Sequence, residues 1–304
     1  RMAAECDVFV EAFRPGKLAA LGLGADDLHR VNPRLVVCSL TGYGQTGPMA
    51  DRAGHDINYL AHSGILGLFG PSDRPPQVPG VQVADVGGGS LPAAIGVLAA
   101  LMERETTGRG RHLDISLARG SAAFGTVAFS GGADQERGAG MLTGGAPCYR
   151  CFRTSDGRLL ALGALEPRFF SRFCELAGRE DLAHEGLTWG EDALGAIETL
   201  TELIGSQTAR HWLDLCDGHD VCLSLVRTPD EAMQDPDMAS VIRQVEGFTV
   251  VTTHLGVPAP APTRSPSALG ADAPSVTRRL SLETELVQQA VEAGALLWSG
   301  EDKP

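Results

Sequence analysis

The chain has 304 residues, 43% hydrophobic and 21% charged, an ordinary globular composition that excludes a disordered chain or a coiled coil. Its 25 basic and 38 acidic residues give a net charge of −13, which argues against a nucleic-acid-binding surface. At roughly 100–200 residues per domain the length fits two domains. Arg1–Asp7 reads as the end of a helix entering a strand over Asp7–Glu11, which is mid-domain sequence and implies further chain before Arg1. A turn at Arg14-Pro15-Gly16 leads to short helices over Lys17–Leu21 and Ala25–Val31. Asn32-Pro33 stops the second, and 34–40 is an apolar, buried strand. Strands separated by helices in this rhythm predict a parallel α/β sheet.

Gly42, Gly44 and Gly47 after that strand satisfy the spacing of a dinucleotide fingerprint, but no apolar helix follows to aim its N-terminus at a pyrophosphate. The expectation is a glycine-rich loop lining a ligand cleft. A helix is predicted from His55-Asp56 to Ser63, and another over Ser90–Glu105, opened by Asp85 and the triple glycine Gly87-Gly88-Gly89. The apolar run Leu91–Met102 is too short to span a bilayer, where ~20 residues are needed, and no signal peptide stands at the front. Arg111–Leu117 reads as the last parallel strand. From Cys148 the pattern becomes α+β. A hairpin over 149–154 and 159–164 turns at Asp156-Gly157, and helices follow over 167–176, 193–204 and 209–215. The predicted organisation is a large α/β domain over 1–120, a linker 121–147, a small α+β domain 148–250, a linker 251–276, and a C-terminal helix within 277–304 returning to the large domain. That helix, Ser281–Leu297, presents Leu282, Leu286, Ala290 and Ala293 on one face.

Seven cysteines, an odd number, do not make a disulfide framework. Cys148 and Cys151 have C-x-x-C spacing without a second pair, so free thiols in a reducing cytoplasm are expected. Lys17 and Lys303 are the only lysines, so an anion held here would be held by arginine.

Two titratable residues stand at glycine-relieved helix starts, His55 after Gly54 and Asp85 before Gly87. Unpaired N–H groups at such a start stabilise a developing anion and favour a neutral, basic imidazole, and the neighbouring small residues would admit a bulky substrate. Each has a plainer reading: Asp85 as a helix N-cap, His55 as a satisfied turn histidine.

The run Gly54-His55-Asp56-Ile57-Asn58-Tyr59-Leu60-Ala61-His62-Ser63-Gly64 resembles the substrate-binding segment of alpha-methylacyl-CoA racemases, of the family III CoA-transferase superfamily. Phe13-Arg14-Pro15-Gly16, Asn32-Pro33-Arg34-Leu35, 41–47, Ala84–Gly89, 141–147, Gly163–Pro167 and 217–222 are similar in the same order. The resemblance implies a Rossmann-like large domain, a smaller α+β domain and an interlocked homodimer in which both chains contribute to an active site. It implies inversion of the α-carbon of 2-methylacyl-CoA thioesters through an enolate. His55 and Asp85 match the two bases on opposite faces of that carbon, and Glu166 the carboxylate that orients the histidine. Backbone N–H groups near Asp56 would hold the enolate oxygen. Gly54, Asp56, Ile57, Asn58 and Tyr59 would line the CoA and acyl path, with Arg14 contacting phosphate or pantetheine. No metal or redox cofactor is implied, since CoA is part of the substrate. The related CoA-transferases use an aspartate at the position of Asp85 as an anhydride-forming nucleophile and usually lack the histidine. Three departures stand out: Thr143 for a usual aspartate, Leu225 for a usual proline, and the absence of the family's opening strand–helix units, which contact the CoA adenosine. That last absence keeps open a truncated, inactive chain with a binding role in a dimer.

Overall fold

The computed structural model describes residues 1–130, 136–245, 248–252 and 267–299. Contacts divide the chain into two units: residues 3–226, and residues 227–304 with Arg1 and Met2. Of the expected linkers, 131–135 in the first and 253–266 in the second lie outside the described residues, as do 246–247 and 300–304.

The larger unit begins with a three-stranded parallel sheet: β1 (Val8–Glu11), β2 (Val36–Thr41) and β3 (His112–Ser116), in that spatial order, with Val8 opposite Val36 and Cys38 opposite Leu113. β2 is central and carries Val36, Val37 and Cys38 fully buried, which is why its first half reads as an apolar run. Helix α1 (Ala25–Val31) connects β1 to β2 and buries Leu28 against Leu35 and Val37. After β2 the chain runs through loop 42–55 into α2 (Asp56–His62), then a 3₁₀ turn at Ile65–Leu68. The long helix is α3 (Leu91–Thr107), which packs along β2 and β3 and ends on Gly108 at φ +69°.

Two features of this region differ from expectation. The segment Val83–Ser90 is π-helical and runs straight into α3, so the helix starts earlier than the glycines suggested. The combined run Val83–Thr107 has 25 residues, long and apolar enough by composition to cross a membrane, unlike the shorter run read from sequence. Its first part packs against α2 and against α4 (Leu117–Ser121), while Leu91, Ile95, Leu98 and Met102 are exposed. The segment expected as a linker also holds structure, with a 3₁₀ turn at Ala122–Gly125, a helical turn at Thr126–Phe129 and another 3₁₀ turn at Met141–Thr143.

The second half of this unit is α+β as predicted. β4 (Tyr149–Arg153) and β5 (Leu159–Gly163) form the hairpin, with Gly157 at φ +77° in its turn. Helices α5 (Pro167–Leu176), α6 (Leu194–Gly205) and α7 (Ala209–Cys216) pack around Phe152, Leu160, Phe170, Phe173, Leu200 and Trp212. A third strand, β6 (Leu223–Leu225), escaped the sequence reading because three residues carry too little alternation; it places Leu225 opposite Leu160.

In the other unit, strands β7 (Ile242–Val245) and β8 (Phe248–Val251) pair antiparallel, and helices α8 (Ala273–Arg279) and α9 (Thr284–Glu292) follow. The long C-terminal helix expected over 281–297 is therefore shorter. Ser281 takes φ +49° and the Leu282 N–H closes back on the Thr277 carbonyl, ending α8 before α9 begins. α9 buries Val287 and half-buries Ala290 and Val291, while Leu286 and Ala293 are exposed, so its inward face is rotated from the predicted stripe.

Candidate active site

The loop after β2 is shaped by its neighbours. Gly44 and Gly47 adopt φ of +92° and +105°, which a side chain would resist. The Gln45 N–H donates to Asp114 Oδ1 at 2.9 Å, and Arg119 donates to the Thr46 carbonyl at 3.0 Å. A protein carboxylate thus occupies one of the loop N–H groups that a phosphate would otherwise use.

The loop ends at Gly54, where the start of α2 is built. Tyr59 points back from the helix, is buried, and donates its hydroxyl to the Gly54 carbonyl at 2.5 Å. Its ring packs edge-on against Tyr43 with centroids 5.2 Å apart. A Cβ on Gly42 would lie 2.4 Å from this ring, and one on Gly54 would lie 2.8 Å from it and 3.0 Å from the Tyr43 hydroxyl. The space that a side chain on either glycine would need is filled by tyrosine. The triple glycine behaves in the same way: a Cβ on Gly87 would strike Phe124, and one on Gly88 would strike Ser121 and the Leu117 carbonyl.

His55 is the N-cap of α2, and its imidazole takes no part in the cap. The capping is done by Asn58, whose Oδ1 accepts the His55 N–H at 3.1 Å, while the Asn58 N–H returns to the His55 carbonyl at 2.8 Å. Of the four first-turn donors, those of Asp56 and Ile57 meet no acceptor among the described residues. Asp85, by contrast, is not an N-cap: it lies in the first turn of the π-helical segment, half-buried. Ser90 Oγ donates to its carbonyl at 3.0 Å. π-Helical turns are rare and concentrate at functional sites.

These elements enclose a cavity of about 710 Å³ lined by Arg14, Gly54, His55, Asn58, Tyr59 and Asp85, among others. Six of the residues singled out from sequence therefore meet in one place. Burial pushes the Asp85 carboxyl above its ordinary range, and the charge of Asp56 adds to this, while His55 opposes it. Tyr59 is likewise raised, by burial first and then by the charge of Asp85. A carboxylate made more basic beside an uncapped imidazole is an arrangement suited to proton transfer. Arg52 also lines the cavity, and sequence reasoning missed it. Nothing in its neighbourhood marks it except that arginine supplies nearly all of the chain's positive charge.

Three expected site residues are elsewhere. Ile57 is exposed and Asp56 turns its carboxylate toward the π-helical segment, so neither lines the cavity. Glu166 is the exposed N-cap of α5, in the second half of the unit, and is also absent from the lining. Thr143 lies in a different cavity, with Tyr149, Cys151 and Cys222, and donates its hydroxyl to the Gly140 carbonyl. No group of three or more His, Cys, Asp or Glu is placed to hold a metal among the described residues.

The description "CoA-transferase family III" matches residues 1–276. The chain belongs to this family. It is 34% identical over 300 residues to the alpha-methylacyl-CoA racemase of Mus musculus, an alignment that covers 97% of this chain and 76% of that one. Similarity to a transferase is of the same order: the succinyl-CoA:glutarate CoA-transferase of Mus musculus is 38% identical over 184 residues, 60% of this chain and 42% of that one. Among solved structures, a CAIB/BAIF family protein from Brucella suis superimposes with a TM-score of 0.74 at 28% identity, covering 92% of this chain and 76% of that one. Both the racemase and the transferase carry a CoA thioester in their names.

Proposed function

We propose that the chain is a racemase that inverts the α-carbon of 2-methylacyl-CoA thioesters by two-base 1,1-proton transfer. The observation that carries this reading is that His55 and Asp85 line one cavity close enough for the imidazole to act on the carboxyl's acidity. One group removes the α-proton and the other returns a proton to the opposite face of the planar enolate. The roles exchange for the other enantiomer. The open N–H groups of Asp56 and Ile57 are the donors available to the thioester oxygen as it gains charge. Arg14 and Arg52 are the cations available to CoA phosphates. Glu166 lies outside the cavity, so its part in orienting His55 is assigned to a second copy, in the interlocked homodimer that the resemblance implies. A cytoplasmic location goes with this reading.

The similarity to succinyl-CoA:glutarate CoA-transferase supports a second reading, with Asp85 as a nucleophile that forms an acyl anhydride. Deuterium exchange separates the two. A racemase washes solvent deuterium into the α-position of either enantiomer of a 2-methylacyl-CoA, without any acid acceptor. His55→Ala and Asp85→Ala should each lower racemisation by ~10²–10⁴-fold, while exchange persists from one enantiomer. Undiminished racemisation in either variant sinks the two-base reading. CoA transfer to a free acid, with label trapped on Asp85, would replace it with the transferase.

A further inference from the structure

The head of the π-helical segment is not tied down by its own helix. Its first N–H groups have no preceding turn to donate to, as at any helix start. Those of Ala84 and Asp85 both donate to a single oxygen, Oδ1 of Asp56, at 2.7 and 2.9 Å. Ala84 is fully buried, and both of these charge-assisted bonds are partly buried. Asp56 is the residue next to His55, and Asp85 carries the carboxyl that shares its cavity. Besides apolar packing, the hydrogen bonds between the two elements that present the two bases therefore come from one side chain that does not itself line the cavity.

We propose that Asp56 is a positioning residue: by clamping the backbone N–H groups of Ala84 and Asp85, its carboxylate fixes the Asp85 carboxyl opposite His55 and sets the span between the two bases. This gives Asp56 a role other than the substrate contact expected from sequence, and it rests on the two-base reading above. Loss of the clamp frees the Asp85 side of the cavity and leaves the His55 side in place, because the N-cap of α2 is closed by Asn58 and the Gly54 carbonyl by Tyr59. The effect is thus directional.

Asp56→Ala should lower deuterium exchange about 10²-fold for the enantiomer whose α-proton faces Asp85, the cost of roughly an ångström of misplacement. Exchange of the other enantiomer, and KM for both, should stay within a few-fold. Asp56→Asn keeps an acceptor oxygen and should restore most of the lost exchange. Hydrogen exchange of the Ala84 and Asp85 amides supplies a readout independent of activity: protected in the wild type and in Asp56→Asn, fast in Asp56→Ala. Equal losses for both enantiomers, or amides that stay protected in Asp56→Ala, would overturn the proposal. Should Asp56→Ala not fold, Asp56→Asn carries the test, with a several-fold loss confined to the Asp85-facing enantiomer expected and an equal loss in both overturning it. A wild type that exchanges neither enantiomer refutes the two-base reading, and amide protection then still decides whether Asp56 is the clamp.

Discussion

The contact between α4 and the π-helical segment is a backbone-to-backbone approach, and it should be unusually intolerant of a single methyl group. A Cβ on Gly120 would sit 1.8 Å from the Gly88 carbonyl oxygen and 2.8 Å from its carbon. Real Cβ contacts stop near 3.0 Å, so the two elements would have to part by about 1 Å. Neither partner is a side chain that can rotate away, and the interior around them is close-packed. Overpacking of this kind costs ~1–3 kcal/mol or more, which at a urea slope of ~1–3 kcal/mol per molar lowers the unfolding midpoint by about 1 M. Because Asp85 is carried by the displaced segment, Gly120→Ala should also lose ~10²-fold in enantiomer interconversion. Gly195→Ala is the contrasting substitution. It lies in α6 with nothing within 4 Å of the added methyl, and should gain ~0.5–1 kcal/mol from helix propensity and a less flexible unfolded chain. Urea unfolding followed by far-ultraviolet circular dichroism reads both. A wild-type midpoint for Gly120→Ala would refute the argument, and an activity loss without a change in midpoint would refute the link between packing and Asp85 placement.

Two further outcomes are expected. The Asp85 carboxyl is held above its ordinary range by burial and by Asp56, so its protonated form is the one the fold favours. The corresponding stability is fully present below the ordinary carboxylate pKa of about 3.9 and is lost as pH rises through the raised value. Asp85→Asn should therefore melt higher than the wild type at pH 7.5, with the difference vanishing near pH 3.5; equal melting temperatures at pH 7.5 would contradict this. Tyr59→Phe removes the donor to the Gly54 carbonyl and should cost ~0.5–1.5 kcal/mol, seen as a lower urea midpoint.

Much of this protein was legible in local chemistry. The central parallel strand stood out because a strand with both faces covered is rich in apolar residues, as Val36–Cys38 are. The β4–β5 hairpin was marked by alternation around Asp156-Gly157, where glycine relieves a positive φ. His55 and Asp85 could be picked out because titratable groups beside glycines at element starts are few.

What the local pattern could not supply was the identity of the neighbours. Gly42, Gly54 and Gly88 are recognisable as positions with no side chain, but whether the vacated space admits a ligand, a tyrosine ring or another backbone depends on which other residues fold against them, Tyr59 at the first two and Leu117 and Ser121 at the third. The same holds for Asp56. By itself it is an acidic residue at a helix start, where a carboxylate is favoured in any case. Its bonds to the N–H groups of Ala84 and Asp85 span 28 and 29 residues. The residue types and their candidate chemistry are determined by the sequence itself. Which of them share one cavity, and that Asp56 braces the base instead of facing the ligand, was decided by tertiary packing, because hydrogen bonds and excluded volume act between atoms that meet only after the chain has folded.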